Sequence, residues 1–249
     1  MAKTNGIIKI EGTVEDLTFY KIDGKNFVRK KGGVSKERIE NDANFVRTRE
    51  NNAEFSHSGR MGRFLKLSVG SMVYRAKDSK LSSRLLQVMS VIKNFDTTSA
   101  RGERNVALGI ATPQGKTALT GFDFNQKASL QSVFFAPYAL NTTTGVITIT
   151  DFIPLEQLQL PQGATHVSFQ GAVVRADFDA ETAERVYSNI VNLPTNMNMS
   201  TITLTPTAVP AGSGVLLFLL MIAFYQEVNA VQYSLKNEEY NVLTILDVV

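Results

Sequence analysis

The sequence predicts an α+β protein: an N-terminal β-hairpin and a small helical module, followed by a mainly antiparallel, immunoglobulin-like β-sandwich. Three observations predict it. Asp23-Gly24 stands between two short alternating runs, an apolar stripe at helical spacing fills residues 81–92, and seven or more alternating runs with turn residues between them occupy the last 145 positions. A chain of 249 residues that is 43% hydrophobic can bury a substantial core in one or two domains, and two are expected. The expected segments are an arm over 1–34, a basic helical module over 35–104 and the sandwich over 105–249.

Strand material begins at Gly6–Gly12 and continues in Leu17–Ile22 and Lys25–Arg29. Asp-Gly tolerates the positive φ of a tight turn, so the last two runs form a hairpin. Two short strands are marginal alone, and this hairpin must lean on the helices behind it or on a neighbouring molecule. It is a candidate exchanged arm. From about Asp42 the spacing turns helical. Leu81, Leu85, Val88, Met89 and Ile92 share one face, with Asp78 or Ser79 as N-cap. Met61, Phe64, Leu65, Ser68 and Met72 make a second stripe, and Phe45 with Phe55 a third. Gly59 and Gly62 interrupt them, which predicts three helices with a break within Ser56–Gly62.

Past Gly102 the expected strands are Leu130–Phe135, Val146–Phe152, His166–Phe178, Thr201–Thr205, Val215–Tyr225, Val231–Leu235 and Val242–Val249. One helix is expected over Asp179–Ile190, where Phe178, Ala183, Val186 and Ile190 keep an approximate helical period. Val215–Tyr225 is apolar on both sides, so it is a central strand covered on both faces or an edge awaiting a partner, and the central position is expected.

Composition removes several chemistries. Without cysteine there is no disulfide, thiolate ligand or cysteine nucleophile. His57 and His166 are the only histidines, fewer than a zinc or iron site usually takes, so neither metal nor cofactor is expected. The longest apolar run has 11 residues, whereas a membrane-crossing helix needs about 20. Lys9 and Glu11 break the only early apolar stretch, so no secretory signal is expected and a cytoplasmic pool is, with release as part of an assembly left open. The absence of Trp argues against a sugar-stacking platform.

Gly109-Ile-Ala-Thr-Pro-Gln-Gly115-Lys116-Thr117 invites comparison with a phosphate loop. It has five residues between the glycines where the motif has four, and Pro113 removes an amide that should cradle the anion, so a turn is expected instead. Asp177, Asp179, Glu181 and Glu184 match no calcium loop and are expected in the first turn of the helix over 179–190. His166 is expected to face solvent. His57 is expected in a solvated loop, with a phosphate contact as the sharper alternative.

Charge is divided unequally. Residues 1–104 carry 21 of the 26 basic residues and 12 of the 23 acidic ones, a net +9, and the remainder is −6. The basic set comprises Lys21, Lys25, Arg29, Lys30 and Lys31 on the hairpin and Arg47, Arg49, Arg60 and Arg63 on the helices. Its leading interpretation is self-association into a homo-oligomer or polymer. Nucleic-acid binding is the alternative, with Phe19, Tyr20 and Phe27 available to stack on bases. A solvated face without function is the third. No small-molecule substrate is identified, and an enzyme rests only on Asp177 and Asp179 meeting in a cleft.

Two segments resemble an uncharacterised protein family of Bacteroidota genomes. The first runs from Gly6-Ile-Ile-Lys-Ile-Glu-Gly-Thr-Val through Phe19-Tyr20-Lys21, Val28-Arg29-Lys30-Lys31-Gly32-Gly33, and Asn41-Asp42 through Arg47-Thr-Arg-Glu-Asn-Asn-Ala-Glu-Phe55. The second is Phe224-Tyr-Gln-Glu-Val-Asn229 with Tyr233, Leu235, Tyr240-Asn241 and Leu243. That family has no established activity, cofactor or catalytic residue, so the resemblance implies no site residue. Where the family carries Asn-Gly this chain has Asn229-Ala230, which weakens the expectation of a tight turn there.

Overall fold

The computed structural model describes residues 2–3 (backbone only), 10–22, 24–30, 32–235 and 239–249. It is an α+β protein with antiparallel sheets. Two compact units divide the chain, Met1–Arg49 and Glu50–Val249.

In the first unit, β1 (Ala2–Lys3), β2 (Gly12–Val14), β3 (Leu17–Ile22) and β4 (Lys25–Lys30) form a four-stranded sheet in the order β1-β4-β3-β2. The expected hairpin is β3–β4, paired from Leu17↔Lys30 to Ile22↔Lys25, and Gly24 takes φ 78° in its turn. Most of the expected run Gly6–Gly12 lies outside the described residues. Helix α1 (Lys36–Asn41) follows, capped by the Ser35 side chain, which accepts the Arg38 N–H. Arg49 donates to the carbonyls of Ile39 and Asp42 at 2.8 and 3.0 Å, closing the end of this short helix. No described side chain of residues 10–49 is buried.

Helix α2 (Val46–Val69) begins in the first unit and continues into the second, which then holds α3 (Ser71–Arg75), α4 (Leu81–Ile92), α5 (Val106–Ile110), α6 (Pro113–Leu119) and α7 (Leu130–Val133). Then come β5 (Ala139–Leu140), β6 (Ile147–Phe152), α8 (Pro154–Gln157), β7 (His166–Asp177), β8 (Thr182–Pro194), β9 (Ser200–Leu204), β10 (Val215–Val228), β11 (Val231–Ser234) and β12 (Val242–Val248). The larger sheet runs β11-β10-β7-β8 with β12 also on β10, and the smaller runs β5-β6-β9. Strand side chains alternate between faces, so β10 serves two cores. Leu217, Leu219, Met221 and Ala223 join Met61, Leu65, Leu85 and Met89 of the helices. Leu220, Ile222 and Phe224 join Ile147, Phe152 and Ile202 of the smaller sheet. The central strand expected from its two-sided apolar pattern is thus observed. Among the described residues no helix is long and apolar enough to cross a membrane.

Several local expectations are corrected. The break in Ser56–Gly62 does not occur, because α2 runs through it. At Gly62 an added Cβ would lie 3.2 Å from the backbone of Leu85, so this glycine lets α4 approach, and packing offsets its poor helix propensity. The α4 stripe is as expected, but Lys80 rather than Asp78 or Ser79 precedes the helix, and Asp78 instead accepts the Lys80 N–H. Residues 179–190 are not helical. Pairing with β7 from Ala172↔Tyr187 to Asp177↔Thr182 makes them turn and strand, since β-branched residues on a sheet edge gain more from ladder bonds than from a short helix. Within the expected strand Leu130–Phe135, Leu130–Val133 is helix α7, with Leu130 and Val133 buried one turn apart, where short apolar runs read alike as helix or strand.

At the β10–β11 turn both Asn229 (φ 52°) and Ala230 (φ 61°) are left-handed, so the tight turn forms despite the alanine. An L residue other than glycine, Asn or Asp is strained there. Ala230→Gly is expected to stabilise the protein by about 1 kcal/mol, read as a higher urea midpoint at unchanged slope.

Candidate functional site

Register divides the hairpin cations between two faces. Residues directly opposite share a side of the sheet. Tyr20↔Phe27, Thr18↔Arg29 and Ile22↔Lys25 put Lys25 and Arg29 on one face. There the rings of Tyr20 and Phe27 stack at 5.8 Å, and the Arg29 guanidinium lies 5.4 Å from the Tyr20 centroid. Leu17↔Lys30, Phe19↔Val28 and Lys21↔Asn26 put Lys21 and Lys30 on the other, beside Val14 of β2. Each face therefore has an apolar or aromatic centre with basic margins, and neither is buried: Ile22 is 48% exposed on the first and Val14 53% on the second.

The remaining predicted residues are scattered. Lys31 lies outside the described residues. Arg47 is exposed, and Arg49 is the half-buried donor that closes α1. Arg60 and Arg63 belong to the other unit, where Arg60 pairs with Glu181 at 3.0 Å. Met1–Arg49 holds 11 basic against 7 acidic residues, and Glu50–Val249 holds 15 against 16. Sequence reasoning stressed the cations and passed over Val14, Leu17 and Val28, whose alternation through β2–β4 was the available signal.

The residues resembling a phosphate loop are helical. Asn105 caps α5, and Thr112 caps α6 by accepting the Gly115 N–H at 3.1 Å. Thr117 donates its hydroxyl to the Pro113 carbonyl. The amide and hydroxyl that a phosphate would need are thus taken. The glycines serve packing, as an added Cβ would lie 2.1 Å from the Ile92 oxygen at Gly109 and 2.0 Å from the Gly109 oxygen at Gly115.

Asp177 and Glu181 are likewise engaged, and none of the four carboxylates lies in a helix turn. Asp177 accepts the Asp179 and Ala180 amides and the Ser213 hydroxyl, which together hold its pKa down. Asp177 and Asp179 do line one concavity of about 640 Å³ with Lys116, Phe178 and Val215. No group of three or more metal-ligating side chains occurs among the described residues. His166 sits within 3.5 Å of Glu227 and is half-buried rather than solvent-facing.

His57 is on α2, not in a loop, and its Nε2 accepts the Val106 N–H at 2.9 Å. Burial, with Arg60 and Lys93 nearby, lowers its pKa against the opposing pull of Glu181. Because the folded value is depressed below 6.5, the unfolded chain takes the proton first, and stability falls as pH drops below 6.5. His57→Gln is expected to flatten the change in urea midpoint between about pH 7.5 and 5.5, relative to the parent chain.

Beside it lies the principal buried charge cluster. Glu54 accepts from Lys93 at 2.5 Å, from Arg104 through two bonds of 2.8 Å and from the Gly102 amide at 2.8 Å. Asp96 accepts the amides of Thr98, Ser99 and Asn105. Together they fasten the 96–105 loop to α2, a structural duty.

Comparison of the chain with protein-family models, curated proteins and solved structures gives no match. The resemblance carried by the two end segments rests on their motifs alone.

Proposed function

We propose that this protein is a non-enzymatic structural subunit that assembles with copies of itself, the Met1–Arg49 unit acting as a docking arm. The observation that carries this reading is the absence of a buried described side chain in residues 10–49. A small sheet needs an apolar face covered by something before it is stable. The Glu50–Val249 unit has two cores of its own, which suits it as the carrier. Its facing antiparallel sheets support a sandwich; the immunoglobulin likeness rests on that opposition and not on strand order. If the arm of one copy covers a different surface on the next, the contact is heterologous and propagates into a filament, tube or shell. Chain 50–249 is expected to stay folded but monomeric in light scattering, while the full chain forms larger species. The same number of copies per particle for the two would refute the arm.

Nucleic-acid binding is the second reading, favoured by the Tyr20–Phe27 stack with Arg29 and Lys25 on the same face. Under it, purified material carries absorbance at 260 nm that nuclease removes.

A further inference from the structure

At one end of the Glu50–Val249 unit, hydrogen bonds gather three connecting segments, β6–β7, β8–β9 and β10–β11. Leu155 N–H donates to the Asn196 carbonyl, Thr195 N–H to Thr165, and Glu227 N–H to the Thr165 hydroxyl at 2.7 Å. Asn192 bonds Gln232 at 2.7 Å, tying in the β10–β11 hairpin. These loops expose large apolar side chains: Leu155, Met197, Met199 (63%), Val228, Val231 and Tyr233 (58%). Grouped exposed apolar residues mark an interaction surface, and methionines adapt their shape to a partner. The fixed charges carried by these segments have one sign, while Arg75 reaches the Tyr225 hydroxyl and His166 lies 3.5 Å from Glu227. Segments 153–166, 190–200 and 224–235 contain Glu156 and Glu227 but neither Lys nor Arg.

We propose that this loop end is the surface on which the N-terminal arm of a second copy docks. The inference rests on the assembly reading above. The occupant follows from complementarity. The arm offers Val14, Leu17, Phe19 and Val28 bordered by Lys21 and Lys30, with Glu15 and Asp16 in the β2–β3 turn, in a unit that carries 11 basic against 7 acidic residues. The loop end offers an apolar centre with an anionic margin, so opposite charges meet at the rim while apolar groups cover each other. Because donor and acceptor surfaces differ, every docked copy leaves one of each free, and the contact continues from copy to copy.

Two variants test this. The full chain with Met199→Arg and Tyr233→Arg keeps the arm but places cations on the loop end, at exposed positions that the fold does not need. Chain 50–249 keeps the loop end but lacks the arm. Each alone is expected to remain monomeric in light scattering, and an equimolar mixture to form a one-to-one complex, because one supplies the arm and the other the surface. Loss of two central contacts should raise the concentration needed for self-assembly by about thirtyfold or more. If the double variant assembles like the parent chain, or the mixture stays monomeric while the parent assembles, the docking surface is wrong and the arm reading survives. If 50–249 assembles by itself like the full chain, the arm reading fails too. Parent assemblies that nuclease dissolves would give the arm to nucleic acid and overturn the proposal.

Discussion

Gly115→Ala is expected to destabilise the protein by about 3 kcal/mol or more, lowering Tm by about 6–12 °C. The new Cβ would meet the Gly109 carbonyl oxygen at 2.0 Å, and both partners are backbone of short helices wedged against α4, so neither can yield without separating α5 from α6. Gly109→Ala meets the Ile92 oxygen at 2.1 Å and should behave alike. Gly59→Ala is the control. It lies mid-helix with only Leu86 Cδ1 at 3.6 Å, so it should gain up to about 1 kcal/mol from helix propensity. A thermal melt of the three variants decides the point, and a Gly115→Ala protein that melts with the parent would remove the packing role assigned to these glycines.

Glu54→Ala is expected to cost about 3–5 kcal/mol, because it strands the buried ammonium of Lys93 and the guanidinium of Arg104 together with the Gly102 amide. The surface pair Lys36–Glu40, 3.6 Å apart with Lys36 almost wholly exposed, should give no readable loss when removed. The cluster also sets an acid limb. The Arg104 hydrogen bonds, with those of Lys93 and Gly102, hold the Glu54 pKa at about 2, below its ordinary 4.5. With the folded value depressed, its contribution is complete above pH 4.5 and is lost as pH falls toward 2. Glu54→Gln should therefore lower stability at neutral pH and flatten the decline between those values. A parallel decline in parent and variant would show that Glu54 is not the titrating anchor.

The sequence carried those elements whose pattern is local. The β3–β4 hairpin was legible from Asp23-Gly24, α4 from a stripe spanning three turns, and β10 from its two-sided apolarity. What escaped depends on distant partners. Residues 179–190 read as a helix until β7 is placed beside them, since the period of Phe178, Ala183, Val186 and Ile190 is too sparse to distinguish the two geometries. The Gly59 and Gly62 pair looked like a helix break because propensity says nothing of the α4 backbone that Gly62 admits. Glu54 gave no signal, its partners Lys93 and Arg104 being 39 and 50 positions away. For the candidate site, composition revealed the cations, but only strand register divides Lys25 and Arg29 from Lys21 and Lys30 and places apolar side chains between them. The loop-end residues Met197 and Met199 lie in an Asn-rich turn, where nothing in the local pattern distinguishes an exposed methionine from a core one.

The central claim is that the chain assembles with itself without help from another macromolecule. Light scattering on untagged full-length protein, with absorbance followed at 260 and 280 nm, tests it most directly. The expected result is a species several times the 27.4 kDa chain mass with the absorbance ratio of protein alone, growing with concentration. A monomer of 27.4 kDa at high concentration and low salt would contradict it.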